Sequence, residues 1–584
     1  SFGCLNWGRI MSDAHLLITE NIDVWTSAIK KRSSRGRGSN KKIELTGIKK
    51  LRELILELAV HGKLIPQSFS SSKNDLELAK KNKQIMLDSG LAKKTKGVEQ
   101  GIGGNLISKF PIEWEQCLVE DIAWPQAGFA FKSNSFNSTG QGLPIIRIRD
   151  VGFTFSGTYY DGEYRSEFVV NNGDYLISMD GEFRVRAWSN DIALLNQRVT
   201  RLHIATGCNK KFIVMALQLA LFSLQGKKSY TTVDHLSTKQ IGSSLIPIPS
   251  LEEQNNIISK VDELMALCDQ LEQQTENSIT AHQTLVESLL ATLSNSESPA
   301  AFKQNWTRIA EHFDTLFTTE HSIDQLKQTV LQLAVMGKLI PQNPNDEPAS
   351  VLLEKIAAEK EQLIKDKKIK KQKPLPVISD DEKLFELPNG WEWERIAEFT
   401  IVGTGSTPSR ATPEYYNPAD INWVTSGETG GDFIFETKEK ISPKAIKETN
   451  VSIYPAGTLI VAMYGQGKTR GQITELMIDA GTNQACAAIR LIDKSAGHRK
   501  YTKLYFQKAY KELRSHSAGG AQPNLNVGKI SLTVLPIPPL DEQHRIVKKV
   551  DKLMTLCDQL KARLNEAQTT QLKLANTIVD QTVN

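Results

Sequence analysis

The chain has 584 residues, 40% of them hydrophobic and 23% charged, and its 71 lysines and arginines exceed its 66 acidic residues by a net charge of +5. This globular composition excludes a wholly disordered chain, a collagen and a small disulfide scaffold. The net charge is too small to indicate a partner. Because no run of 18 apolar residues occurs, we expect no membrane span. Six cysteines without CxxC spacing indicate reduced thiols in a cytoplasmic protein and no zinc site.

Two blocks of sequence occur twice, in the same order. Residues 48–67, IKKLRELILELAVHGKLIPQ, match residues 323–342, IDQLKQTVLQLAVMGKLIPQ, at 12 of 20 positions. Residues 245–271, LIPIPSLEEQNNIISKVDELMALCDQL, match residues 534–560, VLPIPPLDEQHRIVKKVDKLMTLCDQL, at 17 of 27 positions. Between the paired blocks the sequence is poorly matched and is 14 residues longer in the second half. Such a repeat predicts two similar frames around two variable inserts.

The repeat divides the chain into seven expected segments. The ten residues before Met11 do not resemble a signal peptide, and we expect them to be foreign to the natural protein. The segments are a flexible basic N-terminal segment including those residues (1–42), a first helical frame with the GKLIPQ block (43–109), the first insert (110–248), a long helix (249–298), a central helical frame with the second GKLIPQ block (299–386), the second insert (387–537) and another long helix (538–584).

Each second block is predicted to continue as a long helix. Ser250 and Glu253 have the spacing of a capping box, and Pro538-Pro539 is typical of a helix start. Apolar residues then recur at alternating steps of four and three, which predicts a heptad seam and an antiparallel coiled coil between the inserts. The predicted seam and partner-binding residues are Ile257, Val261, Leu264, Leu271, Ile546, Val550, Leu553 and Leu560, with Cys268 and Cys557 among them and with Leu285 and Leu574 further along. The first seam turns polar at Thr275, Ser278 and His282.

The inserts are rich in β-branched and aromatic residues with frequent glycine, which predicts mixed α+β domains with short helices at 211–225 and 500–515. A glycine turn places Arg184 opposite Lys468 and Arg186 opposite Arg470, as phosphate or guanine contacts at equivalent places require. The candidate DNA-binding residues are Arg147, Arg149, Arg184, Arg186, Gln197, Lys227, Lys228, Tyr230, Lys468, Arg470, Gln484, Gln522 and Asn524.

Each candidate also has an ordinary structural explanation. Arg147 and Arg149 are two residues apart and are expected on one face of a strand, but a single surface arginine is as often only solvated. Gln197 and Gln484 carry the side chain that reads adenine, and buried amides that tie the fold together explain them at least as well.

No established catalytic constellation occurs in the sequence. Residues 462–469, AMYGQGKT, resemble a loose P-loop, but a strand-like segment follows where a P-loop needs a helix. A Gly-rich cofactor loop with an NPP[YF] tetrapeptide, HExxH, GxSxG and a zinc-deaminase motif are missing. We therefore expect no catalytic residue, metal or cofactor in this chain, although a loose carboxylate–lysine nuclease centre stays open as the rival interpretation.

From about residue 43 onward, the two variable inserts, the GKLIPQ blocks and the IPIP…EQ…KVD.LM.LCDQL blocks resemble the specificity subunit of Type I restriction–modification systems. The resemblance implies two target recognition domains, each reading half of a bipartite, asymmetric DNA site, and long helices that fix the spacer. It also implies two modification (methyltransferase) subunits carrying S-adenosylmethionine, and restriction subunits using ATP and Mg²⁺, in a prokaryotic cytoplasm. The alternatives are an autonomous nucleic-acid enzyme and a coiled-coil adaptor that never binds DNA.

Overall fold

The computed structural model describes residues 19–31, 43–66, 70–105, 110–225, 235–465, 468–515 and 525–583. The chain forms two compact units: the first holds the described residues up to 277 together with 568–583, and the second holds those from 278 to 567. Each unit therefore contains one frame, one insert, the beginning of one long helix and the last turns of the other. The sequence repeat is therefore a repeat of two whole units.

The frame of each unit is built from amphipathic helices that turn their apolar side to the core. The first frame helix is Thr46–Val60, and the second frame helix is Glu320–Val335. The other frame elements are the strand Ile43–Glu44 and the helices Lys73–Asp88, Pro299–Glu311, Phe313–Leu316 and Ala349–Lys365. The helix Ile22–Ser27 and the strand Lys30–Lys31, which pairs with Ile43–Glu44, lie in the segment 1–42 that was expected to be flexible, and they extend the first frame because Trp25 is buried. Lys83 and Lys360 anchor the frames by donating to main-chain carbonyls near the start of each insert, at 2.7 and 2.6 Å.

Two helices of 44 residues each follow the inserts: the first long helix, Leu251–Ser294, and the second long helix, Leu540–Val583. The glutamine of the EQ pair fixes the start of each. Gln254 Nε2 donates to the Pro249 carbonyl at 2.9 Å, and Gln543 makes the equivalent bond at 2.8 Å. Because proline fixes φ and the amide holds its carbonyl, the repeated IPxP and EQ residues set the direction in which each helix leaves its insert.

The predicted seam is buried along the first half of each long helix and then shifts by one residue. Ile257, Val261, Leu264, Ile546 and Val550 are buried, and Leu271, Leu553 and Leu560 are half-buried. Further along, the heptad prediction is wrong: Leu285 and Leu574 are 51% and 44% exposed, whereas Val286 and Ala575 are 2% and 1% exposed. A straight α-helix drifts by about 20° per heptad, and an 11-residue spacing follows its period more closely. Val286 lies two such steps beyond Leu264.

Each frame helix packs on the beginning of the long helix of its own unit. In the second unit, Lys327 forms an ion pair with Asp558. In the first unit, Arg52 and Asp269 stand at the equivalent positions of the repeat and pair at 2.7 Å. The frame helix therefore covers part of the seam that the heptad pattern assigned to the partner long helix.

The lysine of each GKLIPQ block caps the end of the other long helix. Lys338 Nζ donates to the Ser294 carbonyl at 2.9 Å, and Lys63 Nζ donates to the Thr582 carbonyl at 3.2 Å. A cation satisfies the unpaired carbonyls and complements the helix dipole there. Each unit thus joins three helices: its frame helix, the beginning of one long helix and the end of the other.

The two repeated blocks meet at one junction in each unit. In the first unit, Gly62 of GKLIPQ has φ +68°, and a Cβ at this position would lie 2.6 Å from Pro111. Ser250 accepts the amide of Glu253 at 3.3 Å, as the predicted cap requires, while the carboxylate of Glu253 accepts the indole N–H of Trp114 at 3.1 Å. The second unit repeats these glycine–proline and tryptophan–glutamate contacts with Gly337, Pro388, Trp391 and Glu542.

Both inserts are built from two sheets with matching strand order. The first insert has the sheets Val185–Ala187, Tyr175–Ser178, Val199–Ile204, Ala123–Ala127 and Phe136–Asn137, Tyr159–Tyr160, Leu143–Ile146, Ala193–Leu195, Val169–Val170. The second insert has the sheets Phe433–Ile434, Ile473–Leu476, Leu459–Ala462, Cys486–Leu491, Thr400–Thr404 and Glu439–Ile441, Ile421–Val424, Ala480–Thr482, Ile453–Tyr454. Eight strands correspond, and each insert adds one edge strand of its own, Phe136–Asn137 or Phe433–Ile434.

Each insert is closed by pairing its first strand with its last. Short helices complete the domains, and Lys210–Phe222 and Ala496–Ser515 confirm the two predicted ones. The closing pairs are Glu115–Leu118 with Leu245–Ile248 and Glu392–Arg395 with Val534–Ile537, and the remaining helices are Val119–Ile122, Thr238–Gly242, Ile396–Phe399, Pro443–Glu448 and Val527–Ser531. The predicted class, two mixed α/β domains with two long helices in an internal repeat, is confirmed. In the described ranges, no helix has the length and apolarity of a membrane span.

Candidate nucleic-acid interface

One buried carboxylate holds both ends of a loop in the first insert, residues 147–156, here called the first pinned loop. Asp150 is 2% exposed, and its two oxygens accept the amides of Arg147 and Ser156, each at 2.7 Å. The loop follows a strand that runs parallel to the strand leading into Gln197. The pinned loop and the Gln197 turn therefore leave the same edge of the sheet, on a rigid support of the kind that positions binding residues.

In the second insert, a carboxylate also binds both ends of a loop, residues 425–438, here called the second pinned loop. Glu428 accepts the amide of Thr425 at 2.8 Å and the amide of Lys438 at 2.9 Å. This loop also follows a strand with a parallel neighbour. The two loops share their anchor and their place in the fold, but the second is four residues longer.

Arg147 and Arg149 lie in the first pinned loop and not on a strand. The strand ends at Ile146, and residues 148–150 form a 3-10 turn, so the prediction that both arginines share a strand face is wrong. The physical reason is the carboxylate of Asp150, which binds the backbone of Arg147 and curls the chain. Arg149 is exposed and Arg147 half-exposed, and neither has an acidic partner in the described part of the chain.

A hairpin beside the first pinned loop brings in two more arginines. Arg184 places its guanidinium 4.3 Å from the ring centre of Phe153 and pairs with Glu182. Arg186 lies against Gly152, where an added Cβ would come within 3.1 Å of its Cγ. Partial burial of the guanidinium and the charge of Arg184 lower the pKa of Arg186. Arg147 and Arg149 therefore share the first pinned loop, and Arg184 and Arg186, on the neighbouring hairpin, contact Phe153 and Gly152 of that loop.

The predicted equivalence of the basic residues in the two inserts is wrong. By strand register Arg184 corresponds to Gln472 and not to Lys468, and the equivalence of Arg186 with Arg470 fails for the same reason. The hairpin loop has ten residues in the second insert and six in the first. The four extra residues displace every position after the glycine, and only the pairing of the flanking strands reveals this.

Lys468 and Arg470 lie in this longer hairpin loop, Lys468 exposed and Arg470 half-buried. The Tyr510 hydroxyl donates to the Lys468 carbonyl at 2.5 Å, and Arg514 donates to the Arg470 carbonyl at 3.2 Å. Helix Ala496–Ser515 thus holds the backbone of the loop, while the Lys468 side chain faces solvent.

Gln197 and Gln484 are exposed, so their interpretation as buried amides is wrong. Each lies in a short turn that an asparagine stabilises: Asn196 Oδ1 accepts the Gln197 amide at 2.8 Å, and Asn483 Oδ1 accepts the Ala485 amide at 3.1 Å. The side-chain oxygen of Gln484 accepts a hydrogen bond from the Thr407 hydroxyl. The reading of adenine by the two glutamines stays a prediction.

Five candidates, Lys227, Lys228, Tyr230, Gln522 and Asn524, lie outside the described residues. The P-loop-like segment 462–469 is described except for 466–467, and it continues into the strand Ile473–Leu476, which confirms that no helix opens there. The five cysteines in the described ranges are free thiols. Within those ranges, no group of three His, Cys, Asp or Glu side chains is placed to hold a metal ion.

Exposed aromatic residues of the pinned loops are absent from the sequence prediction. Phe153 is 58% exposed in the first loop, and Phe433 and Phe435 are 45% and 68% exposed in the second. The Lys503 ammonium lies 4.0 Å from the ring centre of Phe433. The one available signal is an F-x-F pattern, GFTF and DFIF, in inserts that are otherwise poorly matched.

Comparison with known proteins gives a consistent picture. Residues 111–281 and 388–568 each match the Type I restriction modification DNA specificity domain. The chain is 36% identical to the EcoEI specificity subunit and 34% identical to the EcoAI specificity subunit, both from Escherichia coli, over 97% of this chain and 99% of each relative. Among solved structures, the HsdS subunit from Thermoanaerobacter tengcongensis covers 82% of this chain and 98% of its own, with 16% identity and a TM-score of 0.36.

The chain thus carries two DNA specificity domains, each closed onto a copy of the same helical frame. It belongs to the family of Type I restriction–modification specificity subunits, which confirms the resemblance found in its repeated blocks.

Proposed function

We propose that the chain is the noncatalytic subunit that reads a bipartite, asymmetric site in double-stranded DNA for a Type I restriction–modification complex, one recognition domain per half-site. The proposed parts are recognition domains 110–248 and 387–537, frames 43–109 and 299–386, and long helices 249–298 and 538–584. One observation carries the proposal: the two units share frames, junctions and eight strands, whereas their exposed loops differ in length and charge. Equal supports with unequal loops suit two different half-sites.

Exposed and half-exposed side chains of the loops and of the strand Val185–Ala187 are the proposed DNA contacts. Arginine donates two parallel hydrogen bonds to guanine or phosphate, glutamine pairs with the adenine edge, and lysine neutralises phosphate. Among the described residues the proposed set is Arg147, Arg149, Arg184, Arg186 and Gln197 in the first domain and Lys468, Arg470 and Gln484 in the second. Their fixed loop backbones favour recognition because less ordering is needed on binding.

The repeated frames are the proposed docking surfaces for two modification subunits, because one chain offers the same helices twice. S-adenosylmethionine would be bound by those subunits, and ATP and Mg²⁺ by restriction subunits that join through the complex. A 44-residue helix is about 66 Å long. This length exceeds the roughly 34–36 Å between half-sites one helical turn apart, so the long helices are long enough to set the spacer.

An exchange of recognition domains tests the proposal. Residues 110–248 are replaced by the corresponding insert of a related subunit, the chain is assembled with modification subunits, and the methylated DNA sites are mapped by sequencing. One half-site should change while the other half-site and the spacer persist. Replacement of residues 387–537 is the matched control and should change the other half-site. A change in both halves, or in neither, would contradict one domain per half-site.

A further inference from the structure

The two pinned loops differ in length and in most of their sequence, but they share one structural feature. Each presents an exposed phenylalanine, Phe153 or Phe433, and a cation from a neighbouring element lies over the ring. Arg184 of a hairpin lies 4.3 Å from the first ring centre, and Lys503 of a helix lies 4.0 Å from the second. The arrangement therefore recurs although the cation comes from a different element in each domain.

Folding does not require either ring to be exposed. Burial of a phenylalanine stabilises a core, so an exposed ring contributes little to folding. In the first loop another aromatic residue does contribute to the core: Phe155, two residues after Phe153, packs edge-to-face on Trp188 with the ring centres 6.2 Å apart. Asp150 holds the backbone of the loop around Phe153, and pairing of the edge strand Phe433–Ile434 with Ile473–Leu476 holds the backbone of Phe433.

The surroundings of the rings indicate the chemistry of the ligand. Arg184 lies over the Phe153 ring, Arg186 lies against the neighbouring Gly152, and Arg147 and Arg149 belong to the same pinned loop. Arg184 pairs with Glu182, and the other three arginines have no acidic partner within the described ranges. At the second ring, Lys503 pairs with Asp432 at 3.8 Å. In the first loop, an apolar ring near unpaired cations matches a nucleic acid, whose phosphates attract the cations and whose bases stack on the ring. The cation lies on one side of each ring, and the exposed part of Phe153 and of Phe433 is available to a base.

We propose that Phe153 and Phe433 are wedges, each of which stacks on a base at one step of its own half-site and opens that step. The cation over each ring fixes the orientation of that ring, while Arg147, Arg149 and Arg186 neutralise phosphates near the first ring. The ring would then read the ease with which a base step opens, a property distinct from the hydrogen-bonding edges read by arginine and glutamine. The inference rests on the proposed function, because it requires each pinned loop to face a half-site.

The test uses the full chain assembled with modification subunits on a duplex carrying the sequence that the complex methylates. 2-Aminopurine, which fluoresces when it is unstacked, replaces single bases across both half-sites, away from the methylated adenines. We expect one bright position per half-site. Phe153→Ala should remove the signal in the first half-site only and weaken binding about five- to a hundredfold, the range for loss of one stacked base. Phe433→Ala should do the same in the second half-site, and Phe153→Trp should keep the signal.

Tyr164→Ala is the matched control, since Tyr164 is 49% exposed in the same insert but lies outside the pinned loop. It should leave binding and fluorescence unchanged. Thermal unfolding of Phe153→Ala should match the parent chain, because the ring is exposed. A binding loss without a fluorescence change, or no change in either, would overturn the wedge. If the domain exchange still alters one half-site, the proposed function survives that result; if the exchange alters none, the proposed function itself fails.

Discussion

The two units differ least where an insert meets its frame and most where an insert meets solvent. At the junctions, the bonds from Trp114 to Glu253 and from Trp391 to Glu542 measure 3.1 and 3.0 Å. In the pinned loops, by contrast, an arginine of the first domain stands where the second has Thr425, and the loop lengths differ by four residues. A contact that holds a domain in place tolerates little change, whereas a loop that selects a sequence has to change. Conserved geometry thus marks support, and divergence marks recognition.

The largest expected loss of stability tests whether the two junctions contribute equally to the stability of their units. Replacing a buried tryptophan by alanine costs about 3–5 kcal/mol of unfolding free energy, because a cavity remains. Trp114 and Trp391 are 7% and 4% exposed. Trp114→Ala should therefore destabilise the first unit and Trp391→Ala the second by similar amounts, measured by hydrogen exchange in each unit during denaturant unfolding. A loss confined to one of the two variants would break the equivalence of the junctions.

The stability of the two junctions should depend differently on pH, because the side-chain oxygen of the glutamine in each EQ pair has a different partner. The side-chain oxygen of Gln254 accepts the backbone amide of Asn209 at 2.8 Å, whereas that of Gln543 is 3.0 Å from Nδ1 of His498, which is fully buried. Burial lowers the pKa of His498, so the folded second unit binds fewer protons than its unfolded chain below the ordinary pKa of about 6.5. Its stability should be complete above that pH and should fall by at most about 1.4 kcal/mol per pH unit below it.

His498→Gln is the informative variant for this pH effect, since it removes the titrating group and retains an amide at the joint. The unfolding free energy of the second unit should then depend less on pH between 6.5 and 5. A comparison between units alone would mislead, because burial also lowers the pKa of His203 in the first insert, to about 4. An unaltered pH profile in His498→Gln would exclude the histidine as the acid-sensitive group.

A smaller effect is expected at the ends of the long helices. Lys63→Met and Lys338→Met each remove a cation that donates to the last carbonyls of a long helix and should cost about 1 kcal/mol. The loss should appear as faster hydrogen exchange in the last two turns of the capped helix and leave the inserts unaffected. Equal losses of stability in the two variants would show that the helix caps of the two units are as similar as their junctions. A clear difference between the two losses would show that the similarity is limited to the junctions.

The sequence predicts the supports well and the reading loops poorly, for a physical reason. The Gly, Pro, Trp and Glu residues of the junctions meet the same partners in both units, and each of these partners is itself repeated, so repeated sequence means repeated structure. Loop positions depend on strand register, and the register shows that Arg184 is not equivalent to Lys468. They also depend on side-chain contacts such as that of the Asp150 carboxylate, which places Arg149 in a turn and not on a strand. The heptad error at Leu285 is of another kind: a period of 3.5 cannot be told from one of 3.6 until several turns have accumulated the drift.

The smallest expected effect transfers charge between the pinned loops. Counted from the residue whose amide the anchoring carboxylate accepts, Arg149 corresponds to Gly427, where an added Cβ meets no atom nearer than 3.9 Å. If Arg149 contacts phosphate, Arg149→Gly should reduce the salt dependence of DNA binding by about one counterion, with a similar loss on all sequences. Gly427→Arg should increase it by a similar amount, since the open site accepts the longer side chain. Titrations between low and moderate salt would measure both slopes. A change in half-site preference with an unaltered slope would instead make position 149 a base contact, and its divergence between the loops would then encode the asymmetry of the site directly.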